Sequence, residues 1–155
     1  MDKSLVTESA DELIGSAEID IMAADSLFTK PKYPVDRMYN IICNHSTQAV
    51  EKLLKGYIIN NGKAAYRTYN LDNLCKAAIE IDNSFIKIAG DCVLLNTYTP
   101  DIKYTNRNEI TKQDMITILK SLEIVSSFPP IKAIRDSFSK KHSYEIVAEI
   151  ITKPI

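Results

Sequence analysis

The run from Asn44 to Gly62 constrains the fold more than any other stretch of the chain. Ala49, Leu53, Leu54, Tyr57 and Ile58 recur at helical spacing, so one stripe of a helix can be buried. Gln48, Glu51, Lys52 and Lys55 stand three or four residues apart, which gathers them on one side of the same helix. Asn61-Gly62 supplies the stop, because glycine enters the left-handed region at little steric cost. By periodicity alone this is an amphipathic helix with a solvated polar face. The same polar cluster is also a candidate ligand surface.

The rest of the chain repeats the pattern. Glycine is scarce, with four in 155 residues, and the 3.6-residue period dominates, so an all-α bundle is expected. A first helix is predicted from about Ser9 to Phe28, ended by Pro31 and Pro34. A second runs from about Asp36 to Asn60, a short third over Leu71 to Ile79, and a fourth from about Ser84 to Leu95. Asn96 to Asn108 is predicted as a polar loop. Thr111 with Asp114 forms the acidic variant of a capping box and opens a fifth helix, Lys112 to about Ser127. Pro130 can start a further short helix, Ile131 to Lys140. Ser143 to Ile155 fits a helical face or a β-strand equally, because Ile146, Val147, Ile150 and Ile151 are β-branched. The expected division is a bundle over residues 1–128 and a C-terminal extension over 129–155 packing on it.

Composition narrows the classes. A net charge of −1 provides no global field toward nucleic acid or membrane, so any anion site is local. Cys43, Cys75 and Cys92 lack CxxC spacing and sit among apolar residues, which fits buried free thiols of a reducing compartment. No stretch has the length and apolarity of a membrane span, and no apolar signal core follows Met1, so a cytoplasmic address is expected. Two histidines without an HExxH string or a Cys/His cluster leave no metal site, and the Gly-rich phosphate loop and the GxSxG elbow are both missing. No cofactor is expected.

From Ser9 to Ser127 the order of elements resembles the HEPN domains, small helical bundles of prokaryotes. Gln48-Ala49-Val50-Glu51-Lys52-Leu53-Leu54-Lys55 is similar to that family's Gln-x-x-Glu-Lys-x-x-Lys helix, and Arg67-Thr68-Tyr69-Asn70-Leu71 to its Thr-His-Asp-Leu segment. A weaker match covers Leu95 to Tyr104 and the helix start Ile110-Thr111. Tyr69 stands where the family often has histidine, Asn70 where it has aspartate, and Lys103-Tyr104-Thr105 where it has Arg-Tyr-Pro. Thr68 or Asn70 can still cap the third helix. The resemblance implies an up-and-down bundle of four to five helices with a short C-terminal extension. It also implies homodimers, nucleotidyltransferase partners, toxin–antitoxin systems, and nucleotide binding or metal-independent RNA cleavage. Cutting members carry an Arg-x(4–6)-His motif contributed by each subunit to a shared cleft.

A string of that form is present: Arg135 and His142, separated by six residues. On a helix their side chains share a face about 10 Å apart along the axis. The guanidinium can grip a phosphate while the imidazole moves a proton of a ribose 2′-hydroxyl. The string lies beyond Phe128-Pro129-Pro130, later than the family's motif. It also reads as a solvated basic helix end that complements the C-terminal dipole.

Three functions follow. The first is a non-catalytic module binding a nucleotide, RNA or a nucleotidyltransferase-type partner. In it Gln48, Glu51, Lys52, Lys55, Arg67 and Lys103 supply polar contacts, and Tyr104 stacks. The second is a metal-independent endoribonuclease toxin acting through Arg135 and His142. The third is a structural partner subunit docking through apolar helix faces. The first asks no chemistry of the substituted positions.

Overall fold

The structure, a computed structural model, describes residues 4–30, 38–99 and 110–152, the side chains of 144–152 excepted. Helices dominate: α1 (Ala10–Thr29), α2 (Tyr39–Asn60), α3 (Leu71–Ile81), α4 (Ala89–Asn96), α5 (Lys112–Ser127) and α6 (Pro129–Thr152). The single extended pairing among the described residues is an antiparallel bridge between Leu5 and Tyr66. The fold is all-α, as the periodicity requires.

Local chemistry fixes most helix ends. Ser9 caps α1 and Glu12 returns the bond, while Thr111 and Asp114 do the same for α5. Asn70 caps α3 by accepting from the Asn73 N–H at 3.0 Å. At the end of α2, Gly62 (φ 76°) turns the chain so that its N–H reaches Ile59 O and the Lys63 N–H reaches Ile58 O, a Schellman closure.

α2 is the centre of the molecule, packing against α1, α3, α5 and α6. Ile42, Val50, Leu53, Leu54 and Ile58 are all buried, joined by Ile14, Leu71, Met115, Ile118 and Ile131. Phe85 fills the space beside α2, with ring centroids 4.5 Å from Tyr57 and 5.0 Å from Phe128. Gly56 lets α1 approach closely, since a Cβ there would stand 2.6 Å from Ile14 Cδ1. The three thiols are free and buried.

The structure corrects four expectations. The fourth helix divides into a 3₁₀ segment, Asn83–Ile88, and α4. Asp82 starts that segment by accepting from the Ser84 N–H at 2.9 Å, which holds the chain in a tighter turn. The chain after Pro129 is one long helix to Thr152 rather than a short helix with an undecided tail. His142 therefore sits inside α6, away from a helix end. Finally, the polar side of α2 is not solvated: α1 and the segment before α3 cover it, leaving Lys55 only 7% exposed.

Candidate functional site

The segment Ala65–Asn70, between α2 and α3, is pinned from two sides. On one side lies an N-terminal arm: Val6 N–H donates to Ala65 O at 2.8 Å and Arg67 N–H to Ser4 O at 2.9 Å. The Arg67 side chain adds Nε to Leu5 O at 3.2 Å and Nη2 to Thr7 Oγ1 at 3.0 Å. On the other side, Asn96 Oδ1 accepts from the Leu71 N–H at 2.9 Å, and Thr68 Oγ1 accepts from the Asn70 N–H at 3.0 Å. The Asn96 side chain thereby ties the start of α3 to the end of α4.

Between this segment, the arm and α2 lies a cavity of about 730 Å³. Glu51, Lys52 and Lys55 enter from α2, and Arg67, Thr68, Tyr69 and Asn70 from the connecting segment. Asn73, Asn96 and Thr99 close one side, while Val6, Glu8 and Leu13 close the other. The size suits a small organic ligand.

Its charges are not equivalent. Lys55 Nζ donates to Glu51 Oε2 at 3.1 Å, one turn away on α2. Burial pushes the Glu51 carboxyl above the usual carboxylate range, and the ammonium of Lys55 opposes that shift. Lys52 Nζ donates to Asp20 Oδ2 at 2.6 Å, and Asp20 Oδ1 pairs with His45 Nδ1 at 2.9 Å. Asp20 is buried on the inner stripe of α1, so the two α2 cations and the histidine satisfy acids that would otherwise be costly to bury. Arg67 differs. It is exposed, and among the described residues it contacts neutral oxygens and no carboxylate. Tyr69, 53% exposed, stands at the same cavity.

Of the residues expected to bind a ligand, Glu51, Lys52, Lys55 and Arg67 are brought together. Gln48 is half-buried on α2 and does not line the cavity. Lys103 and Tyr104 lie outside the described residues. Sequence reasoning missed Tyr69 as a residue lining the cavity, the arm, and Asp20. A carboxylate in phase with the apolar stripe Ala17, Ile21 and Ala24 was the readable sign of a buried cation partner.

Arg135 and His142 share the same face of α6 and both line a separate, smaller cavity of about 560 Å³. Each nitrogen of the Arg135 guanidinium makes a hydrogen bond. It grips Glu18 with Nε to Oε1 and Nη2 to Oε2, the latter at 3.0 Å, while Nη1 donates to Ser126 O at 2.9 Å. Glu18 holds the Arg135 pKa above its already high ordinary value. The His142 ring packs against Phe138, tilted by 40° with centroids 4.0 Å apart. Among the described residues, no group of three His, Cys, Asp or Glu side chains could hold a metal ion, and no helix is long and apolar enough to cross a membrane.

The family model of the HEPN domain matches residues 10–132. The chain belongs to the HEPN domain family. No curated protein and no solved structure gives a significant match. In this HEPN domain the matched residues hold α1 to α5 and the first turn of α6, together with every ligand-binding candidate except those the arm supplies. Arg135 and His142 lie beyond the match, on the remainder of α6.

Proposed function

We propose that this HEPN domain is a binding module that takes a phosphate-bearing nucleotide unit, free or within RNA, in the cavity of Lys52, Arg67 and Tyr69, without catalysing its conversion. One observation carries the reading: among the described residues, the Arg67 guanidinium has no carboxylate on it and is held by the arm, with the exposed ring of Tyr69 at the same cavity. A guanidinium held in this way binds phosphate through paired charge-assisted hydrogen bonds, and a tyrosine face accepts a base. Lys52 lies close enough to add attraction, while its bond to Asp20 restrains it. Among the described residues of the cavity, none is arranged to activate a nucleophile: Glu51 is bound to Lys55, and tyrosine occupies the place where the family often has histidine. A homodimer and a nucleotidyltransferase partner are compatible with this reading and come from the family resemblance.

The test is equilibrium binding of 5′-AMP at low ionic strength. Arg67→Ala is expected to weaken binding at least tenfold, about the effect of losing one charged hydrogen-bonded contact. Arg67→Lys, which keeps the charge but not the fork, falls between the two. Absence of AMP binding by the parent, or equal binding by Arg67→Ala, refutes the reading.

One observation supports a second reading, a metal-independent endoribonuclease: Arg135 and His142 line one cavity. That reading requires Glu18 to release the guanidinium before it can meet a phosphate.

A further inference from the structure

A larger cavity, about 870 Å³, adjoins the nucleotide cavity. The two share Thr68 and Asn73 as a common wall. Ile58 and Leu74, both buried, and Ala77 give this second cavity an apolar lining, while Tyr66, Lys63 and Glu80 are exposed around it. Tyr66 is 55% exposed. An isolated exposed aromatic needs no explanation. Here, however, two exposed tyrosines flank Arg67, which among the described residues contacts no carboxylate, in the string Tyr66-Arg67-Thr68-Tyr69, and each lines a different cavity.

We propose that the second cavity is the subsite for the next nucleotide of a single-stranded nucleic acid whose first nucleotide occupies the cavity of Arg67 and Tyr69. This rests on the nucleotide reading of that first cavity, and it makes the ligand a chain of two or more nucleotides. Tyr66 and Tyr69 are three residues apart, so even a fully extended backbone separates their Cα atoms by only about 10 Å. Arg67 lies between them in sequence and lines the first cavity, where it can meet the phosphodiester that leads on to the next base. The platform is rigid before the ligand arrives. The Leu5–Tyr66 bridge and the Val6 and Arg67 backbone bonds hold its backbone to the arm, so little ordering entropy opposes stacking.

Lys63 and Glu80 offset each other in the second cavity, so this subsite contributes stacking and apolar contact rather than charge. A peptide side chain would also fit an apolar lining, but a peptide gives no reason for an arginine that contacts no carboxylate among the described residues and stands in sequence between two exposed tyrosines. Base–aromatic stacking is sequence-tolerant, because every base has a π-face. The second subsite is therefore expected to accept any base.

The experiment compares 5′-AMP, the ribodinucleotide pApA and its deoxy counterpart by calorimetry, with the parent, Tyr66→Ala and Tyr66→Phe. The parent is expected to bind pApA at least about fivefold more tightly than AMP, the lower end of what one stacked base contributes. Tyr66→Ala brings the ratio of the two affinities toward one, and Tyr66→Phe, which keeps the ring, preserves it. An equal gain with the deoxy ligand assigns the subsite to single strands of either sugar; a gain confined to the ribose ligand assigns it to RNA. Equal affinities for AMP and both dinucleotides in the parent, or an undiminished ratio in Tyr66→Ala, overturn the second subsite and leave the first cavity standing. If no ligand binds the parent, the nucleotide reading falls and this proposal with it.

Discussion

Arg135→Ala separates a structural arginine from a catalytic one. Arg135 ties three helices together: it projects from α6, grips Glu18 of α1 through two hydrogen bonds, and caps the Ser126 carbonyl near the end of α5. Its side chain is 23% exposed and that of Glu18 32%, so water screens the pair only in part. A fully exposed pair would contribute at most about 1 kcal/mol, and hydrogen bonds to charged groups inside a protein about 1.5–3 kcal/mol. The Glu18 contact, partly screened, is assigned a value between those two ranges, about 1 to 1.5 kcal/mol. The Ser126 carbonyl, on a residue only 4% exposed, adds about 1 kcal/mol when it loses its donor.

The expected loss is therefore about 2 to 2.5 kcal/mol, or a fall in Tm of about 4 to 10 °C for a domain of this length. Urea unfolding of the parent, Arg135→Ala, Glu18→Ala and the double variant measures it, with the cycle isolating the pair. A coupling of about 1 kcal/mol is expected. Arg135→Lys should recover the charge but not the fork, and lie between parent and alanine. A coupling below about 0.3 kcal/mol, with an unchanged midpoint for Arg135→Ala, refutes the clamp. An arginine reserved for RNA cleavage gives that second result, because its removal costs activity and not stability.

Two further perturbations test the core and the titration of the fold. Phe85→Ala removes a fully buried ring from between Tyr57 and Phe128 and is expected to cost about 3 to 5 kcal/mol by urea unfolding; a loss under about 1 kcal/mol contradicts the packing described. Tyr98 donates its hydroxyl to Asp114 Oδ1 at 2.9 Å, and burial, with that acceptor second, pushes its phenol up to about 12. A phenol raised above its ordinary value of 10.0 stabilises the fold fully below that pH, and the contribution is lost as pH rises toward about 12. Tyr98→Phe should therefore lose stability less steeply than the parent across that window. Identical alkaline profiles would show that Tyr98 titrates as an ordinary tyrosine.

What could be read from the chain depended on how local its cause was. α5 begins and ends where expected because both limits are written in adjacent residues: the Thr111–Asp114 box and Phe128-Pro129-Pro130. Gly62 marked the end of α2 for the same reason. The 3₁₀ segment was not legible, since Phe85, Ile86 and Ile88 fit a three-residue and a four-residue turn alike. The end of α6 was undecided because β-branched residues serve either period, and helical continuity from Pro129 settles it. At the site, the spacing of Glu51, Lys52 and Lys55 was visible on one helix. Their partners were not: Asp20 comes from α1, and Arg67 is held by Leu5 and Thr7 of an arm far away in sequence. Glu18, which engages Arg135, is likewise far from it along the chain.

Those distant partners change what the charges do. On a bare helix, Lys52 and Lys55 would present two cations to any anion. In the folded chain each answers a carboxylate, Asp20 or Glu51, and Arg135 answers Glu18. An ammonium already paired offers an incoming phosphate an exchange of partners rather than a new attraction, so the gain is small. Arg67 escapes this exchange because the arm restrains it through a backbone carbonyl and a threonine hydroxyl, which orient the guanidinium without neutralising it. Ligand affinity at the cavity should therefore depend mainly on Arg67, and on the aromatic rings either side of it more than on the number of lysines nearby. That distribution also agrees with a chain of net charge −1: under the proposed reading, an anion is recognised by an oriented cation in the cavity rather than by a basic surface.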